Sequence, residues 1–444
     1  MVGAKIRELR KKLGLTQEQL AGTELTKSYV SQVELGRISP SQKALQIMAA
    51  RLGKPVGYFQ ENRDDLRTID FLLKAARALW TTHRLEEGML GLKEALSLAE
   101  RIGREDLMAQ IKLAMGRLEM AQGHLTEAEA LLQHSLELSR NEARPELITE
   151  VADTLGLVAT RLGNFQDAVH SFQLALESSA ALSPEHTAIR VEALRDYGDF
   201  CHGLGQWESA LALYREALTV AAAVEPRYQA ELDARMANAL AHRGAAQDAE
   251  RHIAAAERQL DRRHEDVAQA IIAADLGKCL LLLHRYSEAY QRLREVLEVF
   301  EQAALGPEWV EPVWKGLMVA VARTRRRDWW ELLEGHWNQS GGTAARSQDL
   351  GAQWALLTAA MARAAGHWEK AHAALANVAS TLPEHAAARD LLAVEAENPT
   401  APPAPLERLW RWLLETAFAP DRYPDFLPKP VLSWMRPIRL AELY

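Results

Sequence analysis

Three stretches of this 444-residue chain carry the same residues at the same spacing. Gly116, Gly123, Ala128 and Leu132 form one set; Gly156, Gly163, Ala168, Phe172 and Ala175 repeat it; Gly198, Gly205, Ala210, Tyr214 and Ala217 repeat it again. Weaker copies centre on Gly88, Ala249 and Ala289, a last copy runs Ala359, Gly366, Ala371, Leu375, and a degenerate one lies near Trp329 to Leu333. A unit of roughly 40 residues holds two helices and cannot bury its apolar face alone, so stacking must make the core continuous. This constrains the fold more than any other feature: residues 67–398 read as an all-α array of about eight helix pairs. Its core grows by addition, which suits a chain too long for one ordinary core.

Either side of the array the pattern changes. Residues 1–60 read as five short helices and 61–66 as a polar linker. In 399–444 the prolines Pro399, Pro402, Pro403 and Pro405 interrupt the repeat, and Trp410, Trp412, Phe418, Phe426 and Trp434 follow. Aromatic residues at this density must be covered, as a cap on the last unit or as a dimer contact, and the cap is the simpler expectation.

Within residues 1–60, Ile6, Leu9 and Leu13 share one helical face up to Gly14. Thr16-Gln17-Glu18-Gln19 has capping-box spacing and opens a second helix, and Gly22-Thr23-Glu24 connects it to a third. Thr26 caps the third, Lys27 to Leu35, which Gly36 closes; Ser39-Pro40-Ser41 opens a fourth and Pro55 a fifth.

Charge separates the two parts. Residues 1–60 contain ten Lys/Arg and four Glu, a net +6, so the overall charge of -8 leaves -14 for the remainder. A basic head on an acidic body suits attraction of the head alone to phosphate. Cys201 and Cys279 are the only cysteines, far apart, so neither a disulfide framework nor a zinc site is expected. No apolar run reaches the length of a membrane span and the charged start does not read as a signal peptide, so a cytoplasmic location without membrane association is expected. HExxH, GxxxxGK[ST], GxSxG and metal-ligand spacings are absent, so no enzyme, cofactor or metal is expected.

The run TQEQLAGTELTKSYVSQVELGRISPS resembles the helix-turn-helix of the phage-repressor (Cro, XRE-type) family, over roughly residues 3–60. The resemblance implies that Lys27 to Leu35 enters the major groove of double-stranded DNA. With Val30 and Val33 turned inward, Lys27, Ser28, Ser31 and Gln32 share the outward side and Tyr29 sits at its rim, so these residues are the candidate base readers. By the same resemblance Gln17 holds a phosphate, Arg37 is a phosphate candidate, and Glu34 pairs with Arg10.

The spacing within each unit is similar to that of the tetratricopeptide repeat, which implies a right-handed superhelix with a concave surface that binds a peptide or a protein. Positions read relative to the small residue of each first helix project Asp70, Arg77 and Trp80, then Arg117, Glu150 and Asp153, then Glu192, Arg195, Asp199 and His202, then Asn238, His242 and Lys278 onto that surface. Mixed charge with an amide suits an extended peptide backbone. The two-part arrangement resembles the peptide-pheromone regulators of the RRNPP group. That resemblance implies a homodimeric transcriptional regulator whose repeat domain binds a signalling peptide and alters binding to a palindromic operator, as in quorum sensing. A protein partner in place of the peptide is the alternative.

Overall fold

The computed structural model describes residues 2–60, 63–81, 84–221, 226–260, 267–342, 347–376, 383–396 and 404–418. All regular structure among them is helical. The chain divides between Tyr197 and Gly198 into two compact units.

The first unit begins with the head: α1 (Val2–Lys12), α2 (Gln17–Ala21), α3 (Lys27–Glu34), α4 (Gln42–Arg51) and α5 (Val56–Gln60). Their apolar faces meet in one core of Ile6, Leu20, Val30, Val33, Leu45, Met48, Leu52 and Phe59. The expected caps are present. Thr16 Oγ1 accepts from the Gln19 amide at 3.1 Å while the Thr16 amide donates to Gln19 Oε1 at 2.7 Å, and Thr26 and Ser41 cap α3 and α4 through their hydroxyls. Gly22 turns the chain at φ +56°, and a Cβ there would meet the Arg51 guanidinium at 2.3 Å. That guanidinium donates to the carbonyls of Leu20 and Ala21 and pairs with Glu24, which is how so short a connection between α2 and α3 is satisfied.

Helix pairs follow: α6 (Arg63–Thr81) with α7 (Leu85–Ile102), α8 (Glu105–Gln122) with α9 (Leu125–Asn141), and α10 (Pro145–Leu162) with α11 (Phe165–Ser179). Helix α6 starts at Arg63, so most of the stretch expected as linker is helical; residues 61 and 62 lie outside the described residues. Asp64 and Asp65 in its first turn favour that start, and Leu66 is already buried. Helix α12 (Thr187–Gly203) carries the boundary between the units.

The second unit continues with α13 (Trp207–Ala221), α14 (Pro226–His242) with α15 (Ala246–Gln259), α16 (Val267–Leu282) with α17 (Tyr286–Gln302), α18 (Pro307–Thr324) with α19 (Arg327–Gln339), α20 (Gln348–Ala364) with α21 (Trp368–Ala376), and α22 (Pro383–Ala396) with α23 (Ala404–Ala417). Nine pairs from α6 to α23 therefore stand among the described residues, where about eight were expected. The additional pair is the last one. Trp410, Leu413, Leu414 and Phe418 of α23 and its C-terminus join the core of α18 and α20, as a cap would. Trp412 is exposed, and Phe426 and Trp434 lie outside the described residues.

The repeat spacing has a direct steric cause. A Cβ on Gly156 would meet the Phe172 ring at 2.6 Å, one on Gly198 the Tyr214 ring at 2.4 Å, and one on Gly277 the Leu293 side chain at 2.6 Å. Each small residue thus admits the large apolar side chain of its partner helix. Ala128, Ala168, Ala210, Ala249, Ala289 and Ala371 have no exposed surface, as close helix crossing requires. Gly123, Gly163, Gly205 and Gly366 turn out of the first helix at φ between +72° and +85°. In the degenerate unit Trp330 stands five residues after the left-handed Arg325, where the other units carry alanine, and its neighbour Trp329 stacks on Tyr290 with ring centroids 4.2 Å apart.

Candidate functional site

In the head, Val30 and Val33 face the core, which leaves Lys27, Ser28 and Gln32 exposed on the opposite side of α3, with Ser31 half-buried beside them. Arg37 is exposed just beyond the helix. Lys27, Ser28, Ser31 and Gln32 share one edge of α3, as expected from the helical period, with the exposed Leu35 next along it and Arg37 beyond. Tyr29 is half-buried, and its hydroxyl accepts from the Ser41 amide at 3.1 Å, so it ties α3 to the start of α4. That places Tyr29 as a positioning group for the edge.

Behind the edge lies the Glu34 carboxylate. Arg10 Nε and Nη2 donate to its two oxygens at 2.5 and 3.0 Å, a bidentate pair, and Arg10 Nη1 also donates to the Leu15 carbonyl at 2.7 Å. The expected partner of Glu34 is therefore the observed one. Gln17 makes a bond that the resemblance did not imply: its Nε2 donates to Glu34 Oε2 at 2.8 Å. Arg10 takes one lone-pair direction on each oxygen of the buried carboxylate, and Gln17 at the start of α2 takes a third.

Burial pushes the Glu34 carboxyl up, but the bonds from Arg10 and Gln17 and the Arg10 charge outweigh it and hold the group below its ordinary value of 4.5. A depressed folded-state value stabilises the head above the unfolded value and is lost as pH falls through the folded one. Amide protection of α3 in the intact chain should therefore hold near neutrality and decline below about pH 4.5. Glu34→Gln should lower protection at neutral pH by about 3 kcal/mol, since Arg10 then keeps a poorly solvated charge without its counterion, and should flatten the acid decline.

The residues read as a ligand-binding face fall in both units. In the first, Arg117 Nη2 donates to Glu150 at 3.2 Å and Arg117 Nε to Thr154 Oγ1 at 3.2 Å, joining α8 to α10. Burial lowers the Arg77 pKa, and the group lies in the field of Glu150, Arg117 and Asp70. Asp153 and Arg195 are buried, and Arg195 Nε donates to Asp196 at 2.8 Å. Glu192 is buried as well. In the second unit, Asp199 accepts from Tyr214 at 2.7 Å and from Arg235 at 3.0 and 3.2 Å. His202 and His242 flank Trp207, with His242 stacked on its ring at 4.6 Å. Asn238 and Lys278 have no exposed surface. In each unit most of these side chains are buried or paired, so neither set is a solvated wall.

Sequence reasoning missed one buried residue of the second unit. Arg235, 1% exposed, lies among Asp199, Glu231 and Asp275, with nitrogen–oxygen separations of 3.0, 3.1 and 3.5 Å. Burial and the Asp199 charge raise the Tyr214 phenol well above its ordinary range, which keeps it a donor. Part of a signal for this group was present: Thr154, Asp196, Arg235 and Asp275 stand two places before the small residue of their units, where other units carry Ala114 and Leu357.

Among the described residues no group of His, Cys, Asp and Glu is arranged to hold a metal ion, and no helix is long and apolar enough to cross a membrane. Burial pushes the thiols of Cys201 and Cys279 up to about 11 and about 12.

Residues 6–59 match the helix-turn-helix family and residues 146–223 the tetratricopeptide repeat family. The chain thus carries an XRE-type helix-turn-helix at its N-terminus, followed by tetratricopeptide repeats. No curated protein matches it by sequence. Several solved structures are similar. PlcR of Bacillus thuringiensis, in complex with a peptide and DNA, is 18% identical over 58% of this chain and 93% of its own, with a TM-score of 0.36. The competence regulator ComR of Streptococcus vestibularis, in its apo form, is 16% identical over 63% and 97%, with a TM-score of 0.38. The apo quorum sensor NprR of B. thuringiensis is 13% identical over 84% and 96%, with a TM-score of 0.48.

Proposed function

We propose that this chain is a transcriptional regulator that binds a palindromic operator as a homodimer through α3, and whose repeat body receives a short signalling peptide. The observation that carries the reading is the exposed edge of Lys27, Ser28, Gln32 and Arg37 on a helix-turn-helix head of net charge +6. Ser28 and Gln32 are the base readers, Lys27 and Arg37 add phosphate attraction, and Gln17 approaches phosphate from the start of α2. In the body the peptide meets the first-helix residues Arg77, Arg117, Glu150, Asp153 and Arg195 of one unit, or Asp199, His202, Asn238, His242 and Lys278 of the other. No catalytic step is proposed.

One observation favours a second reading, in which a folded protein partner controls the body. Asn238 and Lys278 have no exposed surface, so a peptide reaches them only if the helices part, whereas a folded partner needs only the outer surface. A thermal-shift screen of short peptides against the intact chain separates the two. A true ligand at about 100 times its Kd should add about 2.7 kcal/mol of stability. A peptide library that shifts nothing, while a co-purifying protein does, would replace the peptide with the partner.

A further inference from the structure

Helix α5 does not end the head at a free tether. It packs against α1 on one side and α7 on the other. At the crossing two backbones meet with no side chain between them: a Cβ on Gly57 would lie 2.2 Å from the Arg101 carbonyl oxygen near the end of α7. Gly103, which ends α7 at φ +66°, would with a Cβ lie 2.6 Å from the Pro55 ring. Lys54 Nζ meets Glu105 Oε1 at 2.5 Å, joining the head to the first turn of α8. Tyr58 closes the arrangement from the head side. Its carbonyl accepts from Lys5 Nζ of α1 at 3.1 Å, and its ring lies under the Lys5 and Lys54 ammonium groups at 5.2 and 5.8 Å.

We propose that α5 bolts the head to the first helix pair, so that head and α7–α8 turn move as one body, and that a change in the repeats reaches α3 through this turn. The second half rests on the regulator reading above. Asp65 and Leu66 of α6 add to the fastening, since Leu66 is buried and Asp65 pairs with Arg101 at 2.7 Å. Any displacement of Arg101, Gly103 or Glu105 is passed to the head, because neither glycine contact leaves room for slip.

The test uses the intact chain with Lys12→Cys carrying a fluorescent dye. Lys12 is exposed, and the two native thiols are buried and protonated, so labelling is selective. Time-resolved anisotropy of this chain should show the head tumbling with the whole protein. Gly57→Leu, and separately Lys54→Glu, should add a component faster by about sevenfold, the ratio of 444 to sixty residues. The double variant Lys54→Glu with Glu105→Lys should restore the slow decay, and it guards against the chance that Gly57→Leu merely unfolds α5. A fast component already present without either substitution, or unchanged decay in both single variants, overturns the proposal. No DNA enters this measurement, so it stands or falls apart from the regulator reading. On selected DNA, undocking should let the head tolerate half-sites moved by about five base pairs, which the docked chain should bind at least roughly tenfold less well than the native spacing. Equal discrimination by docked and undocked chains overturns the second half, whereas absence of any selected DNA overturns the regulator reading alone.

Discussion

Arg235→Ala should destabilise the second unit by about 3–5 kcal/mol, the cost of removing one partner from a buried ionic cluster. The side chains of Asp199, Glu231 and Asp275 are 13%, 5% and 2% exposed, so water cannot replace the guanidinium, and three carboxylates are left to repel one another. Charge, not volume, sets the size of the effect. Arg235→Met keeps the apolar stem and should cost nearly as much as alanine. Arg235→Lys should recover only part, because an ammonium cannot span three acceptors as a planar fork does. Adding Asp275→Asn to Arg235→Met should offset some of the loss, as a double-mutant cycle would show. Urea unfolding followed by tryptophan fluorescence reads this directly, since Trp314, Trp337 and Trp354 pack together in the same unit. A cost below about 1 kcal/mol for both Arg235→Ala and Arg235→Met would mean that the cluster is hydrated and not closed.

That cluster also marks where the sequence was legible and where it was not. The repeat alanines and the small-to-large contacts were readable because steric crowding leaves few residue types that fit: glycine faces Phe172, Tyr214 and Leu293 across each crossing. The head was readable for a different reason. Its caps rest on short polar residues with one workable geometry each, and the Arg10–Glu34 pair was implied by the family resemblance. Charged side chains on the first helices are less constrained. Stepping three residues from Glu192 gives Arg195, whereas the face that meets the next pair advances by four, as Glu231 to Arg235 does, and pattern alone does not choose between them. Nor does spacing distinguish a solvated wall from a closed one, since Lys278 and Asn238 would fit either. The bond from Gln17 to Glu34 was not legible because a glutamine at a helix start can face a phosphate or a buried carboxylate, and the proximity of Glu34 is a tertiary fact. The start of α6 was read late because its first turn, Asp64 and Asp65, has the composition of a linker.

Replacing Ser28 and Gln32 together with alanine should weaken operator binding by roughly 2–4 kcal/mol, that is, roughly thirty- to a thousandfold. Both side chains are exposed and lie on the far side of α3 from Val30 and Val33, so neither substitution should disturb helix content or thermal stability. The loss should fall on sequence discrimination. Binding to unrelated duplex DNA, and the slope of affinity with salt, should stay as they are, because Lys27 and Arg37 still neutralise phosphate. Lys27→Ala should do the reverse, weakening binding to all sequences alike and reducing the salt slope by about one. Tyr29→Phe removes only the bond accepted from Ser41 and should have a smaller effect, felt through the orientation of α3.

The central claim is that this exposed edge reads DNA, and selection of random duplexes by the intact chain tests it most directly. The account predicts enrichment of a two-fold symmetric sequence whose half-sites lie about 34–36 Å apart, and its disappearance when the Ser28→Ala, Gln32→Ala chain performs the selection. Recovery of no preferred sequence, or of the same sequence by both chains, would contradict it.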